Sequence, residues 1–236
     1  MPAYYPVYLN LKGKRCLVIG GGRVAESKII QLQAAGAAVS VISPEVTSAI
    51  EESAQEGRLD WQAREYKPGD LDGVFLGIAA TNQREVNQQI YSEAERKGVL
   101  LNVVDDPERC TFIAPSIVER GPVTVAISTG GTSPALARKL REILAKDPAL
   151  EWADLAGVMS QARKEVKKRR LNVDRQRWQC CLTPELLKLA QEGREDEALS
   201  TLLSGLSDPG TPGLCSRVDH CAPQGCATQP GQSTVE

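Results

Sequence analysis

Apolar positions along this chain recur at changing spacings, and each change predicts an element. Tyr4, Tyr5, Val7 and Leu9 come close to alternation, as in an edge strand. Cys16, Leu17, Val18 and Ile19 then run without a polar break into three glycines, the pattern of a strand buried on both faces. Val24, Ala25, Ile29, Ile30 and Leu32 return at helical spacing, and Ala35-Gly36 supplies a C-terminal stop. A second strand is predicted over residues 38–42, a helix over 46–55 and a short strand over 59–64. The apolar run through 71–81 predicts a further buried strand. Asn87, Ile90 and Ala94 mark a helix that Gly98 ends, and residues 99–104 form the next strand.

Beyond Thr111 the pattern changes. Residues 112–118 and 123–128 read as strands joined by the turn 119–122, and 135–146 as a helix. Leu155, Val158, Met159, Ala162 and Val166 give one apolar face to a helix expected over 150–171. Two or three short helices are expected between Asp174 and Ser204, one opened by Thr183-Pro184-Glu185. After Leu206 the chain turns to Gly, Pro, Ser and Gln and is expected to be disordered. The fold class expected is α/β, a Rossmann-type parallel sheet over 1–112. A small α+β dimerisation region (113–148), a helical domain (149–206) and a tail (207–236) follow.

The strand, glycine turn and helix carry the first chemistry. Gly20-x-Gly22-x-x-Ala25 fits the dinucleotide fingerprint: two glycines for the turn and for close approach of a pyrophosphate, one small residue for helix–strand packing. Gly20, Gly21, Gly22, Arg23 and Val24 are therefore candidate cofactor residues. Such folds often place an acid at the end of the second strand for the ribose hydroxyls. Here Ser43-Pro44-Glu45 stands there, with the acid slightly late. That leaves NAD or NADP open, with NAD the working expectation, and a solvated helix-start glutamate the other reading of Glu45. Thr81 and Asp105 lie at carboxyl ends of later strands and belong to the same sheet edge, outside which ligands bind. Ser128, Thr129, Gly130, Gly131, Thr132 and Ser133 precede a helix that Thr132 or Ser133 can cap and Pro134 can open. N–H groups, hydroxyls and a dipole at that point suit an anion.

Composition narrows the field. With 236 residues, 42% apolar and 25% charged, the chain is an ordinary globular one, and a net charge of −2 gives no reason to expect nucleic acid. No apolar run spans a bilayer and no leader is seen at Met1, so a cytoplasmic protein without membrane contact is expected. The single histidine, His220, sits in the tail, so no histidine mechanism is expected in the core. Cys215, Cys221 and Cys226 accompany it at a spacing that matches no tight zinc pattern, and no metal ligands are assigned. Arg163, Lys164, Lys167, Lys168, Arg169 and Arg170 form a basic run that reads as a solvated face or as a dock for an acidic substrate.

Five stretches taken in order resemble one family: Ile19 to Ala25, Ala79-Ala-Thr-Asn82, Asn102-Val-Val-Asp-Asp106, Phe112-Ile-Ala-Pro-Ser116 and the run from Ala126 to Arg138. Together they are similar to precorrin-2 dehydrogenase, the dehydrogenase module of siroheme synthases, closely over about residues 3–150 and loosely to about 205. The resemblance implies an NAD-binding domain, an intertwined homodimer and a small helical domain. It implies oxidation of precorrin-2, a carboxylate-rich reduced macrocycle, to sirohydrochlorin, and in some members insertion of Fe2+. The methyltransferase module of the fused enzymes is not expected here. The chain departs from the family at Ser27-Lys28, where Arg-Lys is frequent, and at Thr129, where a fused member carries a serine that can be phosphorylated.

A carboxylate at a strand end, partly desolvated beside an apolar ring, can be tuned to take the proton released with the hydride. Asp105 is the expected catalytic residue, by its place in the sheet and by the family's matching aspartate. Asp106 is expected to point elsewhere. Asn102 is expected on the same rim, and Ser128 to Ser133 are expected to receive substrate carboxylates. Two rivals remain: a nicotinamide-sensing regulatory domain, which needs the glycine turn but not Asp105, and a chelatase that has lost oxidation.

Overall fold

The computed structural model describes residues 4–207. The expected tail, with His220 and its cysteines, lies outside them. The chain groups into two compact units. One takes in residues 4–116 together with Ser128–Ala137, the other Ile117–Ile127 and residues 138–207.

The first unit is a parallel sheet with helices. Its strands are β1 (Arg15–Ile19), β2 (Ala38–Ile42), β3 (Asp60–Gln62), β4 (Leu76–Ala79) and β5 (Leu100–Val103), in spatial order β3-β2-β1-β4-β5. All pairings are parallel, with Ile19 opposite both Ile42 and Ala79. The carboxyl ends of β1, β2 and β4 therefore align at one edge. Alternation splits the core in two. Cys16 and Val18 pack with Val39, Val41 and Ile78 under α1 (Arg23–Ala34) and α2 (Ser48–Gln55) through Ile29, Leu32 and Ile50. Leu17 and Ile19 face the other way, onto Leu101, Val103 and Ile90 and Ala94 of α3 (Arg84–Lys97).

The second unit holds most of the hairpin β6 (Ser116–Arg120) and β7 (Val123–Ile127), the C-terminal part of α4 (Pro134–Leu144), and α5 (Ala156–Lys168), α6 (Arg175–Cys180), α7 (Pro184–Gln191) and α8 (Glu195–Ser207). Its core is Leu155, Val158, Ala162, Leu186, Ala198 and Leu202. Thr183 caps α7, its hydroxyl accepting from Leu186 N–H at 3.2 Å. No helix of the described residues is long and apolar enough to cross a membrane.

Four expectations are corrected. Residues 4–10 form no strand: Tyr5 is 86% exposed, and without a ladder partner alternation alone makes no strand. The strand expected through 71–81 is β4 alone, because Gly73 turns at φ +68 before it; Leu71 is buried as a plug from that turn. The strand expected from 112 starts at Ser116, because Thr111 and Phe112 N–H both return to Leu101 O beside β5. The helix expected over 150–171 is a 3-10 helix, Pro148–Leu155, followed by α5. Asp147 opens the 3-10 helix by accepting from Ala149 N–H at 2.8 Å.

One charged side chain is fully inside the sheet unit. Glu93 of α3 is 2% exposed. Its carboxylate accepts from Tyr66 Oη at 2.5 Å, Lys97 Nζ at 2.6 Å and Gly69 N–H at 3.0 Å. Burial pushes the carboxyl up, but these donors and the Lys97 charge together hold it below the usual glutamate range. A depressed folded value contributes stability above the unfolded pKa of about 4.3 and loses it as pH falls through the folded value. Glu93→Gln is thus expected to cost about 1–3 kcal/mol at neutral pH and to flatten the loss of stability on acidification. Urea unfolding across pH 3–7 checks this; equal slopes for the two proteins would refute it.

Candidate functional site

The glycine turn is locked from three sides. Gly20 N–H donates to Ile42 O at 2.9 Å, Ala80 N–H to Ile19 O at 2.7 Å and Thr47 N–H to Gly21 O at 2.9 Å. Gly20 has φ +117, and a Cβ there would stand 2.4 Å from Ala80 O. A Cβ on Gly21 would meet Glu45 O at 2.0 Å. These two glycines are therefore demanded by the fold itself. Gly22 differs. It is the N-cap of α1 at φ −81, no side chain bonds to that cap, and a Cβ would have no atom within 4 Å. The first turn of α1 thus offers N–H donors and the positive dipole end to open space, where an anion is stabilised.

Around this turn opens a cleft of about 480 Å³. Every cofactor candidate read from the sequence lines it: Gly20, Gly21, Gly22, Arg23, Val24, Ser43, Pro44, Glu45 and Thr81. Ser43 does so through its backbone shape, because it is buried and its hydroxyl donates to Glu45 O at 2.6 Å. Trp61 Nε1 holds Ser43 O at 3.0 Å, and Thr47 Oγ1 donates to Glu26 at 2.8 Å, which ties this wall to α1. Thr81 O is held by Asn87 Nδ2 at 3.1 Å. The open cradle at Gly22 and the uncapped helix end fit a dinucleotide pyrophosphate.

Asp105 and Asn102 do not line this cleft. Asp105 follows β5 on the same sheet edge, is exposed, and has φ +60. Asn102 lies within β5, where its Nδ2 donates to Phe112 O at 3.1 Å and so anchors the returning segment. Asp106 is no bystander: its carboxylate pairs with Arg109.

The family described as "Putative NAD(P)-binding" matches residues 7–116, and that described as "Sirohaem biosynthesis protein central" matches 120–146. A siroheme synthase of Photorhabdus laumondii is 38% identical over 226 residues, covering 89% of this chain and 48% of that protein. One of Methylobacillus flagellatus is 39% identical over 207 residues, covering 87% and 44%. The chain thus spans about half the length of the siroheme synthases it matches. The solved structure of SirC, a precorrin-2 dehydrogenase, aligns with a TM-score of 0.67 at 28% identity, over 85% of this chain and 100% of that one. The chain is thus similar to siroheme synthases along most of its own length, and to a precorrin-2 dehydrogenase along the whole of that protein.

The loop before α4 is tightly self-bonded. Gly130 N–H donates to Ser128 Oγ at 3.0 Å, and Ser133 N–H to Thr129 Oγ1 at 3.1 Å. Thr132 N–H reaches Thr129 O at 3.1 Å, and Ser133 Oγ caps α4 by accepting from Leu136 N–H at 3.2 Å. Gly130 and Gly131 turn at φ +63 and +86 with nothing within 4 Å of a Cβ, which leaves their backbone open to a ligand.

Sequence reasoning missed Arg64, Glu65, Tyr66, Asn82, Gln83 and Val86 on the cleft wall. The stretch around Tyr66 becomes a wall through pairs distant in sequence. Tyr66 is held by Glu93, and Arg64 grips Asp70 with two contacts of 2.8 Å, which keeps that carboxyl below its usual range. No periodicity announces such pairs.

Proposed function

We propose that this chain oxidises precorrin-2 to sirohydrochlorin with NAD+. The observation that carries the reading is the uncapped start of α1 opening into the cleft on the same sheet edge as Asp105, in a chain that aligns over the full length of a precorrin-2 dehydrogenase. N–H groups of the first turn of α1 would hold the pyrophosphate, with Arg23 beside it. Pro44 and Glu45 would flank the adenosine ribose, and the wall at Thr81 the other half of the dinucleotide. When bound, the nicotinamide accepts the hydride. Asp105 takes the proton lost with it, so that two electrons and two hydrogens leave the macrocycle. Asn102 sets the rim beneath Asp105 by fixing the segment at Phe112. The loop from Ser128 to Ser133, with Gly130 and Gly131 open, would receive substrate carboxylates. Purified protein given precorrin-2 and NAD+ is expected to produce the spectrum of sirohydrochlorin together with NADH; absence of both would overturn the reading. The likeness to siroheme synthases favours a second reaction, insertion of Fe2+ as substrate into that product, testable by adding iron and watching siroheme form.

The site is proposed to work in a homodimer. Leu136, Leu140 and Ile143 line α4 at 50%, 37% and 51% exposure, and Ile117 is 41% exposed. An apolar helix face left this open marks an interface, and a second copy of the chain would cover it. Ile143→Glu is expected to shift the protein toward monomer by light scattering at micromolar concentration. A wild type that is itself monomeric and fully active would refute this.

A further inference from the structure

Asp105 is one of two non-glycine residues with positive φ among the described residues. Aspartate tolerates the left-handed region better than most residues, yet it persists there only where the surroundings over-determine it. Here they do. Asp106 N–H closes the turn onto Val103 O at 3.2 Å, leaving Val104 and Asp105 as its corner. The far side of the turn is bound by Arg109. Its guanidinium pairs with the Asp106 carboxylate, its Nε donates to Gln88 Oε1 of α3 at 2.8 Å, and its N–H reaches Asp106 O at 3.2 Å. The sulfur of Cys110 sits under the same turn. It accepts from Val103 N–H at 3.2 Å, and the thiol can donate to Asp106 O at 3.2 Å or Val103 O at 3.3 Å. Burial pushes the thiol pKa up, so it remains a neutral donor. Both ends of a four-residue turn are thus tied to 109–110, and through Gln88 to a core helix.

We infer that Arg109 and Cys110 are positioning residues that hold Asp105 where it can take the substrate proton. The inference rests on the proposed role of Asp105. A turn free to relax would carry the carboxylate away from the reacting carbon, and a displacement near 1 Å can cost about 100-fold in rate. Neither residue lines the dinucleotide cleft, so cofactor affinity separates this role from general damage.

The test uses the full chain with Arg109→Gln, Cys110→Ala and Cys110→Ser, each confirmed folded by thermal melting. Turnover of precorrin-2 and NAD+ affinity by calorimetry are measured for each. Arg109→Gln and Cys110→Ala are expected to lower kcat by about 10- to 100-fold with the NAD+ Kd unchanged within about twofold. Cys110→Ser, which keeps a donor and an acceptor, should lose less than Cys110→Ala. In an Asp105→Asn background, Arg109→Gln should cost nothing further, because the two act as one unit. Folded Arg109→Gln and Cys110→Ala proteins with wild-type kcat would overturn the positioning role, as would an Arg109→Gln loss that persists undiminished in the Asp105→Asn background. Near-normal turnover by Asp105→Asn alone would instead overturn the assignment of the base.

Discussion

Asp105→Asn is expected to leave NAD+ and precorrin-2 bound while turnover falls by on the order of 100- to 10,000-fold, the range that general acid–base groups supply. The substitution is a clean one at this position. Asparagine tolerates the left-handed conformation as aspartate does, so the turn closed by Asp106 N–H on Val103 O can persist. What is lost is the ability to accept a proton. Asp106→Asn is a poor bystander control, because the Asp106 carboxylate pairs with Arg109 and that pair braces the same turn. Glu108 is the better one: it is exposed, two residues beyond that turn, and Glu108→Gln should leave kcat unchanged. Steady-state rates with calorimetric Kd values decide the matter. A folded Asp105→Asn protein that oxidises precorrin-2 near the normal rate would make Asp105 a turn residue only, with the proton passing to water or to the substrate's own carboxylates. If the chain also inserts iron, insertion into ready-made sirohydrochlorin should fall with it, since the pyrrole protons need the same acceptor.

What could be read from the sequence was what local backbone chemistry encodes. A buried run entering three glycines permits few geometries, and Gly20, Gly21 and Gly22 stand in the cleft as that pattern demands. Ser43, Pro44, Glu45 and Thr81 followed because strands of a parallel sheet bring their carboxyl ends to one edge. Four things escaped. Alternation at Tyr4 to Leu9 looked like a strand, but a strand needs a neighbour, and neighbours are set by the whole sheet. The apolar periodicity through Leu155 and Val158 was right about the buried face and about α5, but the stretch up to Leu155 winds as a 3-10 helix, since Asp147 and Pro148 begin a tighter turn. The wall at Arg64 to Tyr66 depends on Asp70 and on Glu93, and the second of these lies 27 positions away, on another element. Asp105 was legible as a strand-end carboxylate. Its positive φ was not, because the turn that holds it is braced by side-chain bonds of Arg109, Cys110 and Gln88 that no local pattern announces.

Gly22→Asp is expected to abolish measurable NAD+ binding while leaving the fold as stable as before, or slightly more so. The three glycines divide by what a side chain would strike. At Gly20 and Gly21 a Cβ would collide with backbone oxygens at 2.4 and 2.0 Å, so substitution there damages the turn and any loss of binding is ambiguous. At Gly22 φ is −81 and the space is open, so a side chain fits without strain. Gly22 is also the N-cap of α1, where aspartate is among the preferred residues and is better than glycine by a few tenths of a kcal/mol. The new carboxylate would cap the very N–H groups that the pyrophosphate needs and would face it with a like charge. Two unit charges about 4 Å apart at an effective dielectric near 20 repel by about 4 kcal/mol, close to a thousandfold in affinity. Gly22→Ala separates the two effects: it adds bulk without charge or cap, and should weaken binding less. Calorimetry for NAD+ and thermal melting on the same samples give the answer. Unchanged affinity in a folded Gly22→Asp protein would mean that the pyrophosphate does not lie at the start of α1, and the dinucleotide reading of the cleft would have to be given up.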